Sequence, residues 1–580
     1  MNSEMLVRNK QTHSKHACAS LLPSLARVAW CALFLTAIPA LAEVTPDAGR
    51  VLQESQQLGQ PKLSVPGTLP PIQAPAPSRP PPAAASPYDA RVNVTHFTFS
   101  GNSALSQETL QAAVAQWAQR PLNFGELMEA VEAVEARYKE AGYFLAQAYL
   151  PPQKIRDGDI EILITEGKLG EARLEGESRV NPDVVFKYLD RIPKGQAVTM
   201  ANVERQILLI NELAGERAVL DLQAGETPGS TDIVLAQTMG APVIGRLDVS
   251  NHGSPSTGEK RVGISLIGNS PWNLGDQLSA NVMATETGNL SSYNLRYELP
   301  VGGDGWRLTA AASLAEYSLG GNFASLNASG QAKSIRMGAA YPFLRSRASN
   351  LNFQIVADHI QLNDRIASVD LDLGKRSRGL TATLSGDWLD EVWGGGSSRI
   401  DLAWRHGVLS LGPTSAALDA FPAGPGTAGG FNKANLMLMR QQAIHPKVSL
   451  QMQLNYQLAD KNLDSSEKLS LGGPLTLPGY ANGEASGDSG GQAKLNLRWQ
   501  IYNDLAVGVF ADYARLRLAH TPLSTAASNH KRLSDSGVNI DWNVFGGLTA
   551  SAILAWAGKE APNPTDNDRP RLWFSMAYTW

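Results

Sequence analysis

The residues best suited to chemistry lie in one stretch, Leu471 to Gly491 (LGGPLTLPGYANGEASGDSGG), which closes on Gly487-Asp488-Ser489-Gly490-Gly491. That pentapeptide surrounds the nucleophile in one class of serine proteases. A serine attacks only when a histidine takes its proton and an acid orients that histidine. None of the nine histidines stands in an Ala-Ala-His-Cys-like setting, and the two cysteines, Cys18 and Cys31, both lie in the first 31 residues. Residues 253–260 (GSPSTGEK) have the outline of a phosphate-binding loop. Glu259 stands where the lysine is needed and no helix follows, so this segment reads as a turn between strands. The histidines show no metal-ligand spacing and read as ordinary surface or lumen residues. No catalytic residue, cofactor or metal is expected, and the chain does not read as an enzyme.

Length and composition say what must carry the loop. A chain of 580 residues exceeds one compact core, so two or more domains are expected. The formal charge of −4 leaves no electrostatic footprint for nucleic acid. Arg8, Lys10, Lys15 and Arg27 accompany an apolar run, VAWCALFLTAI, and Ala40-Leu41-Ala42 offers a cleavage site before Glu43. This is the layout of a signal peptide over residues 1–42, and its apolar run is shorter than the ~20 residues of a helical span. Cleavage removes both cysteines, leaving no thiol to mispair in an oxidising compartment.

Residues 43–58 contain a short helical segment, PDAGRVLQESQQ, with Pro46 suited to an early helical position. Residues 59–90 are a proline-rich linker, an extended tether unable to hold a helix or join a sheet. From Arg91 the pattern becomes α/β. A strand over 92–99, helices over 106–119 and 124–141, and strands over 144–150 and 159–165 make one unit, residues 91–167. A strand over 170–174, helices over 182–189 and 200–213, and strands over 219–222 and 233–236 repeat the order in a second, residues 168–241. Gly101 and Gly176 mark the same turn in each.

From 242 to 580 the helical pattern gives way to segments of about 10 alternating residues, the length of a tilted strand across an outer membrane. The last is clearest. Leu572, Phe574, Met576, Tyr578 and Trp580 share one face, Arg571, Ser575, Ala577 and Thr579 the other, and Trp573 breaks the alternation. Sixteen strands are expected, beginning near 243, 259, 277, 291, 305, 331, 349, 376, 396, 433, 447, 491, 505, 533, 547 and 571. Tight joins such as His445-Pro446 and Asn503-Asp504 alternate with polar tracts at 411–432, 460–490, 515–532 and 558–570, as short periplasmic turns and longer surface loops do. The fold class is a transmembrane antiparallel β-barrel preceded by two α/β units.

The long loop resembles that of two-partner secretion translocators, the hemolysin secretion/activation family (filamentous hemagglutinin transporter-like), whose pattern is close to LGGPxGVRAYPxGEASGD. The matching residues are Leu471-Gly472-Gly473-Pro474, then Leu477-Pro478-Gly479-Tyr480, then Gly483-Glu484-Ala485-Ser486-Gly487-Asp488. Phe510-Ala511-Asp512-Tyr513-Ala514-Arg515 is similar to the family's FxDxGR strand, with Ala514 for glycine. PDAGRVLQ, the linker, and YKEAGY (138–143) ahead of Pro151-Pro152 and Gly158-Asp159-Ile160 match as well. The likeness covers nearly all of the chain after the leader.

The resemblance implies an outer-membrane pore that exports one large partner exoprotein from periplasm to cell surface without ATP (type V secretion). The two α/β units become POTRA domains that catch the client, with strands 170–174 and 219–222 as the contact region. Residues 43–58 become a plug helix, and the loop folds into the lumen. Outer-membrane lipids surround the barrel, and the barrel assembly machinery reads the C-terminal strand at Phe574, Tyr578 and Trp580. In the family a loop arginine pairs with the strand aspartate; here Pro478 occupies the arginine position and Asp512 lacks that partner. Reflection about a turn near Asn503 sets Lys494 opposite Asp512, which makes Lys494 the candidate replacement, a point donor where arginine offers a fork. The alternative function, an assembly or insertase factor of the same superfamily, fits less well with two units behind a tethered helix.

Overall fold

The computed structural model describes residues 46–58, 91–227, 229–422, 424–522, 528–558 and 570–580. The expected leader, the linker and the tract at 559–569 lie outside the described residues. Helix α1 (Ala48–Leu58) comes first. Unit one follows with β1 (Val92–Val94), β2 (His96–Ser100), α2 (Gln107–Val114), β3 (Arg120–Leu122), α3 (Phe124–Glu140), β4 (Gln147–Tyr149) and β5 (Asp159–Thr165). Unit two has β6 (Lys168–Gly176), α4 (Pro182–Leu189), α5 (Met200–Asn211), β7 (Glu216–Ala224) and β8 (Ser230–Met239).

In unit one β5 is central between β2 and β4. The stretch expected as one strand over 92–99 is broken at Thr95, whose N–H donates to the Gly158 carbonyl at 2.7 Å. That bond lets β1 leave the sheet and pair with β3, a short strand that the sequence pattern gave no sign of. Helix α3 starts at a capping box of Asn123 and Glu126, which satisfies two N–H groups that a helix start leaves unpaired. Its Leu127, Val131, Val134 and Tyr138 pack against Phe97, Ile160 and Ile162. Glu166 ties the unit off, accepting from the Ser103 and Ala104 N–H groups at 2.6 and 2.7 Å and from Tyr138 Oη at 2.8 Å. Burial opposes the Glu166 charge, but these donors outweigh it and hold its pKa below the usual carboxylate value. In unit two β8 is central, so β6 and β7 are the two sheet edges.

Sixteen strands then close an antiparallel barrel. They are β9 (Val243–Ser250), β10 (Arg261–Asn269), β11 (Gln277–Thr285), β12 (Leu290–Val301), β13 (Trp306–Ser318), β14 (Ala328–Arg345), β15 (Ser349–Ile366) and β16 (Leu371–Asp390). The series continues with β17 (Gly396–Leu411) and, after a short helix α6 (Pro413–Asp419), its partner β18 (Gly429–His445), then β19 (Val448–Ala459), β22 (Ser489–Tyr502), β23 (Leu505–Arg517), β24 (His530–Phe545), β25 (Leu548–Ala557) and β26 (Arg571–Thr579). Two short strands, β20 (Leu469–Leu471) and β21 (Ala485–Gly487), pair with each other inside the long loop. Closure leaves no edge in lipid, where unpaired backbone groups would each cost several kcal/mol (order of magnitude). β26 meets β9 from Ser575↔Ser250 to Thr579↔Arg246, and Trp580 and Gly245 exchange backbone bonds at 3.0 and 3.1 Å. Strands β14 to β18 run 16–20 residues, well beyond the expected ten, because their outer halves continue past the apolar band.

Unit two is seated on the barrel through charge and close backbone contact. Glu212 receives Arg307 at 2.8 Å and also Arg345; Arg191 meets Asp304 at 2.7 Å and Arg347 meets Glu204 at 3.1 Å. The turn between β12 and β13 approaches α4 so closely that a Cβ on Gly303 would lie 1.9 Å from the Lys187 carbonyl oxygen. Backbone cannot yield there as a side chain could. Gly303→Val is therefore expected to lift unit two off the rim, read as faster proteolysis around Gly240–Val243 while the barrel keeps its heat-modifiable migration.

Candidate functional site

The lumen is filled by the chain itself. Residues 460–488, between β19 and β22, turn inward as a hairpin built on β20 and β21. Gly472 at φ +111° is left-handed, and a Cβ there would lie 2.1 Å from the Ala481 carbonyl oxygen, so the bend requires glycine.

The neck of this loop is held by charge. Glu467 lies between Arg405 Nη2 at 3.0 Å and Lys433 Nζ at 2.9 Å, and all three are buried or nearly so. Arg405 also grips Asp358 with its guanidinium fork. Asp464 receives Lys375 at 2.7 Å. Asp488, fully buried, pairs with Lys468 at 2.9 Å and accepts from the Leu463 and His520 N–H groups at 3.1 and 2.8 Å. Ser489 Oγ accepts from Ala459 N–H at 3.0 Å. The protease-like Gly-Asp-Ser-Gly-Gly run is thus the buttoned neck of a loop, its aspartate and serine occupied by structural bonds. Sequence reading missed Asp464 and Glu467 because nothing in the chain near them points to partners on distant strands.

The tip is held by wall side chains that bind its backbone. Lys494 Nζ donates to the Leu475 carbonyl at 3.1 Å, Gln492 Nε2 to that of Thr476 at 2.7 Å, and Trp573 Nε1 to that of Pro478 at 2.7 Å. Gly479 N–H donates to Asp535 Oδ2 at 2.6 Å, and Tyr480 Oη to the Ser534 carbonyl at 3.0 Å. Leu477 and Tyr480 are fully buried against Leu471, Ala485, Ala514, Leu516 and Leu533. Trp573, the one residue out of step in the last strand, turns inward to make its bond. That broken alternation was the signal for it.

Of the sequence candidates, Leu477, Pro478, Gly479 and Tyr480 sit together at the tip. Gly483 and Glu484 lie higher, where Lys531 reaches Glu484 at 3.7 Å. Lys494 stands opposite Asp512 in register, its Nζ 3.8 Å from Oδ2. Asp512 is buried, accepts no hydrogen bond among the described residues, and faces Asp535 on the next strand. Phe574, Tyr578 and Trp580 stand apart, exposed on the lipid face.

Helix α1 lies against the opposite wall near the outer mouth. Its Ala48, Val51 and Leu52 cover an apolar lumen patch of Leu290, Tyr317, Leu319, Ala332, Ile360 and Leu362. Ala48 N–H donates to Asp364 at 2.8 Å, and Tyr317 Oη reaches the same oxygen at 2.6 Å. The polar face of the helix binds the loop: Arg50 donates to the Gly483 carbonyl, and Gln53 to those of Ser465 and Lys468 at 3.3 and 3.1 Å. Glu54 accepts from Arg261 at 2.6 Å and from Asn482 at 3.0 Å, joining wall, helix and loop at one carboxylate. Gly49 is a packing glycine, since a Cβ there would lie 2.7 Å from the Ser466 backbone nitrogen.

A sixteen-stranded barrel with α/β units at its inner rim and an inward loop and helix in its lumen defines an outer-membrane transporter of the two-partner secretion class. The model for "Haemolysin secretion/activation protein ShlB/FhaC/HecB" matches residues 229–527, and a "POTRA domain, ShlB-type" matches residues 92–167. The chain belongs to that haemolysin secretion/activation family. It is 24% identical over 518 residues to the heme/hemopexin transporter protein HuxB of Haemophilus influenzae (strain 86-028NP), covering 86% of this chain and 90% of that one. It is 24% identical over 439 residues to the hemolysin transporter protein ShlB of Serratia marcescens, 72% of each. The structure of CdiB from Escherichia coli superposes with a TM-score of 0.72 at 19% identity, covering 93% of this chain and all (100%) of that one.

Removal of Lys494 leaves the buried Asp512 carboxylate without its cation. Lys494→Ala is expected to destabilise the barrel by about 1–3 kcal/mol, and Lys494→Ala with Asp512→Asn by less than the two single changes summed. Urea unfolding followed by heat-modifiability measures this. An unchanged Lys494→Ala beside a damaged Asp512→Ala contradicts the pairing.

Proposed function

We propose that this transporter moves one large, unfolded exoprotein from periplasm to cell surface, with α1 as a releasable plug and the second α/β unit as the client's docking edge. The observation that carries the reading is the position of α1: one short amphipathic helix is bonded to both the barrel wall and the inward loop. A helix held by a few polar bonds and three small apolar side chains is held firmly enough to close a resting pore and weakly enough to leave it. The segment expected as the proline-rich linker, residues 59–90, is long enough to let it leave without losing the chain.

Unit two, residues 168–241, supplies the docking edge as a second POTRA domain. Both strands expected to meet the client are sheet edges, β6 and β7. An extended client segment adds to such an edge through backbone bonds, and alternate side chains give selectivity. Along β7 the outward residues are Arg217, Val219, Asp221 and Gln223. The periplasm offers no ATP, so folding of the emerging client at the surface supplies the drive. Lys494 provides the charge that position 478 no longer carries, and the C-terminal strand addresses the barrel to the assembly machinery. Catalysis has no part in this reading, since Asp488 and Ser489 are engaged in the loop neck.

Gly49→Leu tests the plug without deleting anything. The larger side chain cannot seat against Ser466, so the helix is expected to leave and open the pore. Single-channel conductance in planar bilayers should rise from a mostly closed state to a persistently open one. Conductance equal to the parent protein, with α1 still protected from protease, contradicts the plug.

A further inference from the structure

The outer surface of the barrel carries an ordered charge boundary on β14 to β17. Cross-strand register sets its residues in rows on the lipid-facing side. Tyr341, Phe353, Leu384 and Leu402 form one row, and Met337, Ala357, Leu380 and His406 form another nearer the outer mouth. The next row is Ile335, His359, Arg378 and Val408, and the one beyond it is Lys333, Gln361, Arg376 and Ser410. Within two rows of the Met337 and Leu380 row, or roughly 13–14 Å along the strands, the face changes from aliphatic to basic.

The direction is fixed by the chain. Unit two docks beside the start of β9 and the turns at 302–305 and 346–348, so those turns mark the periplasmic rim. Residues 367–370, at the far end of β15, lie outside. The basic rows therefore sit at the outer-leaflet boundary.

Among the described residues these cations are not matched by acidic side chains. Lys333, Arg376 and Arg378 are exposed, and among the described residues none of them has an ion-pair partner. On the same face Asp372 is taken by Arg365 at 3.9 Å and Glu316 accepts from Gln331 at 2.5 Å. A shallow groove runs between His359, Arg378, Leu380 and His406, with the His406 ring stacked on Trp404. Apolar rows below and unpaired forked donors above suit a ligand with acyl chains and anionic phosphates. Guanidinium groups bind phosphate oxygens in pairs, and basic residues at a membrane surface each draw anionic headgroups.

We propose that β14 to β17 form a binding site for a phosphorylated, acylated glycolipid of the outer leaflet. Its phosphates lie at Lys333, Arg376 and Arg378, and its chains lie along the Met337 and Leu380 row and those beneath it. The site would fix the barrel's height and rotation in the membrane, on the wall that carries Asp358 and Arg405 inside.

Purified full-length protein in detergent, titrated with bisphosphorylated lipid A and followed by native mass spectrometry, tests this. Saturable binding is expected, at least about tenfold weaker for dephosphorylated lipid A. The variant Lys333→Ala/Arg376→Ala/Arg378→Ala should lose a similar factor while keeping heat-modifiable migration. Equal binding of the two lipids overturns the proposal, as does a folded triple variant that binds like the parent. Displacement of the lipid by polyglutamate at equal charge also overturns it, in favour of an acidic polypeptide as occupant. If the triple variant fails to fold, the comparison of the two lipids on the parent protein still decides.

Discussion

The interior of this barrel hangs from the carboxylate of Glu467. Arg405 and Lys433 reach it from neighbouring strands, Arg405 is fixed in turn by Asp358, and Gln457 and Lys433 also take the Glu467 backbone carbonyl. A buried ion cluster of this kind is a poor source of net stability but an exacting one of position, since loss of one partner strands the others. It sets where the loop enters the lumen. Asp464 on Lys375 and Asp488 on Lys468 set its twist, and only a loop so placed can receive Arg50, Gln53 and Glu54 of the helix.

Below the neck the logic changes from charge to backbone. Gln492, Lys494, Asp535 and Trp573 all bind main-chain groups of the tip. Such contacts tolerate substitution in the loop, because every residue offers a carbonyl and all but proline an N–H. Pro478 illustrates this: it brings no charge and no N–H, yet its carbonyl holds Trp573. The tip is fastened with no charged residue at position 478, and Lys494 attends both Asp512 and the Leu475 carbonyl.

Much of this architecture was legible beforehand. The sixteen strand starts fall within five residues of those expected, the widest being 376 against Leu371, because alternation and turn chemistry are local signals. Helix α4 and strand β5 have the expected bounds for the same reason. Helix α6 was hidden within the polar tract 411–432, although Pro413 at its start and Asp419 binding Thr427 are recognisable in hindsight. The break at Thr95 and the ion pairs of Glu467 and Asp464 were not legible, since each depends on a partner 30 or more residues away, Gly158 for the first, Arg405 and Lys433 for the second and Lys375 for the third. Register brought Lys494 and Asp512 within reach by counting alone; that Lys494 would also hold the loop backbone needed the three-dimensional path of the tip.

Distances between nitroxides at Leu475 on the loop tip and Tyr502 on the periplasmic rim, measured by double electron–electron resonance, address the anchor directly. With Glu467 intact a single narrow distance is expected. Glu467→Lys sets a third cation against Arg405 and Lys433, and the distribution should broaden or split while the barrel remains heat-modifiable. The same narrow distance in a folded Glu467→Lys barrel would show that the loop is positioned by something other than this carboxylate.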